Sequence, residues 1–165
     1  MKTRKLTVAA LLTAAALITF IIEAQIPPLT PIYGIKLGLA NIFTLFALYM
    51  LGTKEALIIL IIRVTLGNML TGQMMSFIYS ICGGLLAFIV ILILKKFIPR
   101  NQLWVTSAIG AVFHNIGQIA VAIVVTGTLQ IAYYLPLIVI SGIITGIFTG
   151  VLSQIAISKL EDHAV

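Results

Sequence analysis

Arg63 is the residue of this chain whose chemistry most needs an explanation. It lies in the middle of the apolar segment 55–70, EALIILIIRVTLGNML. A charge near the centre of a bilayer costs about 2.5 kcal/mol or more, so it normally faces a protein interior or a water-filled cavity. The planar guanidinium can bind a carboxylate or phosphate through two parallel hydrogen bonds. Arg63 therefore predicts a buried site for an anionic group.

Other polar side chains in apolar segments could complete such a site. His114, Asn115 and Gln118 are spaced i, i+1 and i+4, which places them on one face of a helix. The alternatives are hydrogen bonds between helices without a ligand and an internal ion pair between Arg63 and Glu23. The full set of predicted substrate-binding residues is Arg63, His114, Asn115, Gln118, Asn41, Asn68, Lys36 and Glu23.

The composition predicts that these residues lie inside a membrane protein. The chain is 61% hydrophobic and only 8% charged, whereas a soluble domain has roughly 25% charged residues. A spanning helix needs about 20 mostly apolar residues. Turn signals at 68–73 and 127–130 divide the two longest uncharged stretches. We predict an all-α polytopic protein, one integral membrane domain over 1–165, with six transmembrane helices at about 6–22, 37–52, 54–70, 74–94, 103–126 and 133–157.

The basic residues predict the orientation of this bundle. The odd-numbered loops hold only Lys36, whereas the termini and the even-numbered loops hold Lys2, Arg4, Lys5, Lys54, Lys95, Lys96, Arg100 and Lys159. By the positive-inside rule both termini are cytoplasmic. The net charge of +6 is thus explained by topology, and no nucleic-acid partner is expected. A cleaved signal peptide is the alternative for the first helix.

At about 1.5 Å per residue, this topology places nearly every buried polar group in the outer half of the membrane. The inner halves of the helices are expected to be almost purely aliphatic, which favours a pocket open to the outside over a channel. The Pro-rich segment 23–36, EAQIPPLTPIYGIK, would be a lid or wall of that pocket. The alternative is that its prolines only end one helix and start the next.

Small residues indicate where helices approach each other. Gly142, Gly146 and Gly150 form a small-xxx-small stripe for helix packing. Ala10 and Ala14 form a similar pair on the first helix, which could pack within the chain or dock another membrane protein.

Several kinds of chemistry are not expected of this chain. Its single cysteine, Cys82, excludes an internal disulfide, and the histidines and carboxylates are too dispersed for a metal site. No P-loop motif is present, so the chain cannot hydrolyse ATP by itself. Its single aspartate, Asp162, cannot supply the clustered carboxylates that hold magnesium in prenyl diphosphate condensation. We therefore predict a protein that is not an enzyme and contains no cofactor or metal.

Five segments resemble the Gx transporter family, which is also labelled heptaprenyl diphosphate synthase component I. They are Pro27–Gly52, Arg63 with Gly67, Ser80–Leu86, Gly110–Gln118 and Leu135–Gly150. The chain is more remotely similar to the six-helix S components of energy-coupling factor (ECF) transporters. In those proteins an Ala-x-x-x-Ala patch on helix 1 meets a membrane coupling subunit, and substrate binds from outside under the loop between helices 1 and 2. The resemblance implies that Ala10 and Ala14 dock such a subunit and that two partner ATPases use ATP.

Two functions follow as expectations. The first is a substrate-capture subunit for uptake of a small anionic or amphipathic molecule, with an isoprenoid or quinone precursor implied by the family. The second is a non-catalytic membrane partner of a polyprenyl diphosphate synthase. An autonomous carrier is a third alternative, weakened by the lack of inverted repeats and of a carboxylate relay.

Overall fold

The computed structural model describes residues 2–26, 36 and 38–162. Within this part the chain forms α-helices and short 3₁₀ turns and no strands, which confirms the predicted all-α class. The 3₁₀ turns are Arg100–Gln102 and Leu129–Tyr134. The α-helices are α1 (Lys2–Glu23), α2 (Asn41–Met50), α3 (Thr53–Thr71), α4 (Met74–Leu94), α5 (Leu103–Thr126) and α6 (Leu135–Asp162).

The second helix differs from the prediction of a span over 37–52. It has only 10 residues and is therefore about 15 Å long, half of the roughly 30 Å hydrocarbon core. Gly38 has a φ of 82°, and a turn at 39–40 delays the start of the helix. Gly52, with a φ of 119°, separates α2 from α3. Two glycines in backbone conformations unsuited to a helix thus shorten α2 at both ends.

Four segments are long and apolar enough to cross a membrane: Thr3–Glu23, Met74–Leu94, Arg100–Thr126 and Leu129–Leu160. The third helix has 19 residues, but Lys54, Glu55 and Arg63 reduce its apolar character. The multi-pass architecture therefore rests on four clear spans, whereas the expected count of six stays a prediction.

The distribution of polarity is the reverse of that in a soluble protein. Large aliphatic side chains such as Leu70, Ile89 and Ile144 are exposed on the outside of the bundle, while charged and amide side chains such as Arg63 and Gln118 are buried. In water such a surface would be an aggregation hazard, whereas in a bilayer it contacts lipid. The burial pattern thus supports the membrane interpretation independently of composition.

Contacts between helix ends indicate that successive helices run in opposite directions. The backbone N–H of Gly38 donates to the Glu23 carboxylate, so the start of α2 lies beside the end of α1. Lys95, just after α4, donates from Nζ to the carbonyl of Leu48 at 2.9 Å, so α2 and α4 end together. Short connections join the remaining neighbours. The beginning of α1 and the end of α6 consequently lie at the same end of the bundle, which we call the basic end because Lys54 and Lys95 also lie there.

Two hydrophobic clusters stabilise the bundle. The larger lies toward the basic end and includes Leu48, Ile59 and Leu103. The smaller lies toward the other end, around Tyr79 and Ile119. The polar residues of the candidate site lie in the layer between the clusters.

The fifth and sixth helices pack backbone to backbone along the three glycines of α6. A Cβ added at Gly150 would lie 2.5 Å from the Trp104 Cα, and one at Gly146 would lie 2.7 Å from the Ala108 Cα. A Cβ at Gly142 would overlap the Asn115 amide. No side chain larger than hydrogen fits at these positions unless the helices separate.

We expect Gly150→Ala to destabilise the protein by about 1–3 kcal/mol, because overpacking against a backbone atom outweighs the better helix propensity of alanine. The melting temperature in detergent measures the effect. Val151→Ile, which adds one carbon on the exposed side of α6, is the matched control and should leave that temperature unchanged. An equal melting temperature for Gly150→Ala and wild type would contradict the close packing.

Candidate functional site

A small cavity in the polar layer contains most of the charged groups of the bundle interior. It is lined by Phe20, Glu23, Lys36, Gly38, Arg63, Val64, Ser80 and His114. Its volume is about 10 Å³, room for about one water molecule. Four helices and the segment before α2 therefore converge on one buried point, which we call the site cavity.

Arg63 is buried on α3, with 3% of its surface exposed. Its Nη2 donates to the Oδ1 of Asn41, the first residue of α2, at 2.9 Å. Its Nε has no hydrogen-bond partner within the part of the chain that the structure describes. A buried donor without a partner costs about 1–3 kcal/mol. An acceptor that binds Arg63 Nε would recover this free energy.

Glu23 ends α1 and holds the start of α2 in place. Its carboxylate accepts the hydrogen bond from the Gly38 backbone N–H. Among the described residues, no hydrogen bond or ion pair of 4 Å or less joins Glu23 to Arg63. The internal ion pair that the sequence left open as an alternative is therefore not formed directly, although both charges line the same cavity.

Lys36 supplies a second cation beside Arg63. Its ammonium lies 3.6 Å from the centroid of the Phe20 ring, a cation–π contact. Lys36 Nζ has no hydrogen-bond partner in the described residues. Burial is the main cause that lowers the pKa of Lys36 to about 8; the Glu23 charge opposes this shift and the Arg63 charge contributes to it. At neutral pH the side chain still carries its charge.

The Phe20 ring is held against α3 by the absence of a side chain at Gly67. A Cβ at Gly67 would overlap the edge of that ring. The ring lines the site cavity and carries the Lys36 ammonium on its face. Gly67, one turn beyond Arg63, thus positions the second cation through Phe20.

His114 and Ser80 reach the site cavity through a close crossing of α4 and α5. A Cβ at Gly83 would lie 2.7 Å from the His114 carbonyl, and one at Gly117 would lie 2.9 Å from the Gly83 Cα. The Ser80 hydroxyl and the His114 Nδ1 have no partner in the described part of the chain. Two neutral polar groups therefore complement the two cations.

The electrostatic balance of the site cavity is positive, because two cationic side chains face one carboxylate. Four polar atoms of its lining have no hydrogen-bond partner among the described residues. They are Lys36 Nζ, Arg63 Nε, Ser80 Oγ and His114 Nδ1. Such a cluster of buried and unsatisfied groups is unfavourable unless a ligand or an ordered water satisfies it.

Three predicted site residues lie away from the site cavity. Asn115 donates to the Ile138 carbonyl of α6 at 2.7 Å, a contact between helices. Asn68 donates to the Val64 carbonyl of its own helix at 2.7 Å. Gln118 is fully buried beside Gly83, and neither atom of its amide has a partner in the described residues.

A second cavity extends from the first toward the basic end. It has a volume of about 20 Å³ and shares Gly38 with the site cavity. Thr44, Ser107 and Thr149 are among its lining residues. The expectation that the inner half of the bundle is almost purely aliphatic is therefore wrong. Single threonines and serines within apolar helices gave no periodic signal from which this cavity could be predicted.

The remaining predicted features lie at the periphery. Ala10 and Ala14 are exposed on α1, opposite Ala16 and Phe20, which face the bundle. The proposed lid over 23–36 lies mostly outside the described residues. Within those residues, no group of three or more His, Cys, Asp or Glu side chains is placed to hold a metal ion.

The apolar residues of the site and one small polar residue, Ser80, were not predicted from the sequence. Phe20, Gly38 and Val64 line the site cavity, yet an aromatic or small residue in an apolar helix is usually a packing residue. Ser80 and Gly67 lay within the segments that carry the family resemblance, which was the only signal that could have found them.

In the part of the chain that the structure describes, four helices that are long and apolar enough to cross a membrane indicate a multi-pass helical membrane protein. A family model described as heptaprenyl diphosphate synthase component I matches residues 12–156, and the chain belongs to that family. The family predicted by the sequence resemblance is thereby confirmed. No curated protein and no solved structure matches the chain.

We expect Gly67→Ala to destabilise the protein by about 1–3 kcal/mol, because the added methyl group displaces the Phe20 ring. Phe20→Leu removes that ring, so adding Gly67→Ala in the Phe20→Leu background should cost much less. A double-mutant cycle of melting temperatures measures this coupling. Additive effects of the two substitutions would show that Gly67 does not act through Phe20.

Proposed function

We propose that this protein is the substrate-binding membrane subunit, or S component, of an ECF-type uptake transporter in a bacterial cytoplasmic membrane. It captures a small anionic or amphipathic molecule from outside. The observation that carries the proposal is the site cavity, where Arg63 and Lys36 have unsatisfied donor atoms.

The chemistry of this cavity favours an anion over a neutral or cationic ligand. A carboxylate or phosphate would accept hydrogen bonds from both cations, and hydrogen bonds to charged groups contribute about 1.5–3 kcal/mol each. It would also neutralise the excess positive charge in an environment of low dielectric constant. Glu23 makes no direct hydrogen bond or ion pair with Arg63 among the described residues and accepts the Gly38 backbone N–H instead, so it leaves the guanidinium available to a ligand.

The position of the site cavity supports capture from outside. It lies at the end of α1 and the start of α2, away from the basic end of the bundle. The positive-inside rule assigns the basic end to the cytoplasm, so both termini would be cytoplasmic. A ligand would then enter beneath the 23–36 segment, as the resemblance to S components implies.

The exposed face of α1 supports a second membrane protein as partner. Ala10 and Ala14 are exposed, and a small-xxx-small pair allows close approach of another helix. We assign this face to the coupling subunit of an ECF module. Two ATPase subunits of the same module would supply the energy, and this chain itself would have no enzymatic activity and no cofactor.

A non-catalytic role beside a polyprenyl diphosphate synthase is the second candidate, and the family description is the observation that favours it. The family fits a membrane component of the heptaprenyl diphosphate synthase system. In that role the same cavity would hold a diphosphate or lipid phosphate near the enzyme. The partner recovered from native membranes distinguishes the two candidates.

We expect Arg63→Gln to abolish the stabilisation of the purified protein by small anions, and Lys36→Gln to weaken binding about 10- to 100-fold. The probes are phosphate, diphosphate and short carboxylates, each measured by the shift in melting temperature. Gln73→Ala, at the turn between α3 and α4, is the control. Normal anion binding by Arg63→Gln would remove the basis of the proposed site.

Anion affinity should fall as the pH rises through about 8, where Lys36 loses its proton. Binding of an anion favours the protonated amine, so the complex weakens once the free amine is neutral. Glu23, Arg63 and His114 also line the cavity, so the test compares Lys36→Arg with wild type. Lys36→Arg should keep its affinity at pH 9, and an identical fall in both proteins would assign the titration to another group.

We expect a tagged form of this protein, purified from native membranes in mild detergent, to co-purify with a membrane coupling subunit and two ATPases. Ala10→Leu should prevent this recovery while leaving anion binding unchanged, because the larger side chain holds the partner helix away. Ala156→Leu, at an exposed position of α6, is the matched control and should recover the same partners. Recovery of a soluble prenyl synthase instead would favour the second candidate.

A further inference from the structure

The second cavity, here called the inner cavity, has a chemical character different from that of the site cavity. Its lining contains no charged side chain. The polar lining residues are Asn41, Thr44, Ser107, Thr145 and Thr149, and the others are Gly38, Leu45, Leu60, Gly84, Ala87, Phe88, Ile91, Gly110, Ala111 and Gly146. It is thus a neutral compartment in which hydroxyl groups are set among aliphatic walls.

Thr44 provides a buried hydroxyl group that lacks a hydrogen-bond partner in this compartment, within the described part of the chain. The side chain is buried, with 6% of its surface exposed, and its Oγ1 has no hydrogen-bond partner among the described residues. On the opposite wall, the hydroxyls of Ser107 and Thr149 bond each other at 3.0 Å. A purely hydrocarbon ligand would leave Thr44 unsatisfied at a cost of about 1–3 kcal/mol. A hydroxyl or carbonyl group on the ligand would satisfy it.

The inner cavity lies next to the site cavity, on the side toward the basic end. Thr44 lies about two turns beyond Gly38, and Gly84 lies about one turn beyond Ser80. At about 1.5 Å per residue, Gly84 lies roughly 6 Å deeper in the bundle than Ser80. A molecule that occupies both compartments must therefore extend over at least about this distance.

A single hydrogen bond marks the boundary between the two cavities. Gly38 lines both, Arg63 lines the site cavity and Asn41 lines the inner cavity. The bond from Arg63 Nη2 to Asn41 Oδ1 connects them. An anion that binds the guanidinium side-on, through the free Nε and Nη2, would share Nη2 with Asn41. Its binding would loosen this boundary and open the inner cavity to the rest of the ligand.

The sizes of the cavities set a limit on the ligand. Their volumes are about 10 Å³ and 20 Å³, whereas a cavity of about 150 Å³ accommodates benzene. An organic anion can therefore enter only if side chains of the lining move, and a smaller molecule requires a smaller movement. A polyprenyl chain of many isoprene units would require the largest.

We propose that the inner cavity is a subsite for the neutral, oxygen-bearing part of a compact organic anion, whose charged group is bound by Arg63 and Lys36. The proposal rests on the proposed anion capture and narrows its substrate class to short hydroxylated or keto-substituted acids and phosphates. Thr44 is the residue that distinguishes a substituted acid from the hydrocarbon acid of the same length.

Two matched pairs of acids test this inference on the full-length protein in nanodiscs. The pairs are butyrate with beta-hydroxybutyrate and isovalerate with beta-hydroxyisovalerate, and farnesyl phosphate serves as the long-chain comparison. Titration calorimetry should show tighter binding of each hydroxylated member by about fivefold, the effect of one hydrogen bond. Farnesyl phosphate should bind more weakly than the hydroxylated acids.

Thr44→Val removes the hydroxyl while keeping the shape of the side chain. It should abolish the preference for the hydroxylated acids and leave the affinity for butyrate and isovalerate unchanged. Thr126→Val, at an exposed position near the other end of α5, is the control and should retain the preference. A preference that survives in Thr44→Val would overturn the role of Thr44.

The outcomes separate this inference from the proposed function. Equal binding of both members of a pair, lost in Arg63→Gln, would overturn the inner subsite and leave the anion site standing. Tightest binding of farnesyl phosphate, again dependent on Arg63, would overturn the compact substrate class alone. Absence of binding by every probe would overturn both. Equal binding within each pair together with a higher melting temperature of Thr44→Val would overturn the subsite and show that the Thr44 hydroxyl is only a buried group without a partner.

Discussion

The burial of Arg63 is the constraint on which the rest of the structure depends. A guanidinium in an apolar bundle is tolerated only when other groups compensate it, and each neighbouring element contributes to that compensation. Asn41 accepts one of its hydrogen bonds, Glu23 places a carboxylate in the same cavity, and Gly38 fixes that carboxylate through its backbone N–H. Because Lys36 adds a second cation, compensation within the chain stays incomplete. A bound anion would complete it.

The glycines of this protein determine where its polar groups can meet. Gly83 and Gly117 allow α4 and α5 to cross closely enough to bring His114 to the cavity, and Gly67 lets Phe20 lie flat against α3. Gly146 and Gly150 bring α6 to the backbone of α5. Without a hydrophobic force between helices in lipid, such close contacts are the main source of packing energy. The geometry of the site is therefore a consequence of helix packing as much as of its polar residues.

The sequence predicted the long helices well because a continuous apolar run of about 20 residues has few alternatives. The bounds of α4 and α5 agree with the prediction to the residue. The length of α2 was not predictable, because glycines with positive φ cannot be told from packing glycines by composition. The structure places Arg63, Glu23, Lys36 and His114 in the lining of one cavity, whereas their role in substrate binding stays a prediction. Asn115 was grouped with them by its helical face and Asn68 by its depth, but neither criterion specifies which group a side chain bonds, here the carbonyls of Ile138 and Val64.

The shortness of α2 has a consequence for hydrophobic mismatch. A helix of about 15 Å cannot match a hydrocarbon layer of about 30 Å, and backbone groups at its ends would meet lipid if they were not covered by protein. The chain satisfies them from within, with Lys95 bonded to the Leu48 carbonyl at one end and Glu23 bonded to Gly38 just before the other. Local thinning of the bilayer would stabilise the same arrangement from outside. Bilayer thickness should therefore influence how tightly α2 is held, and with it the partner of Arg63.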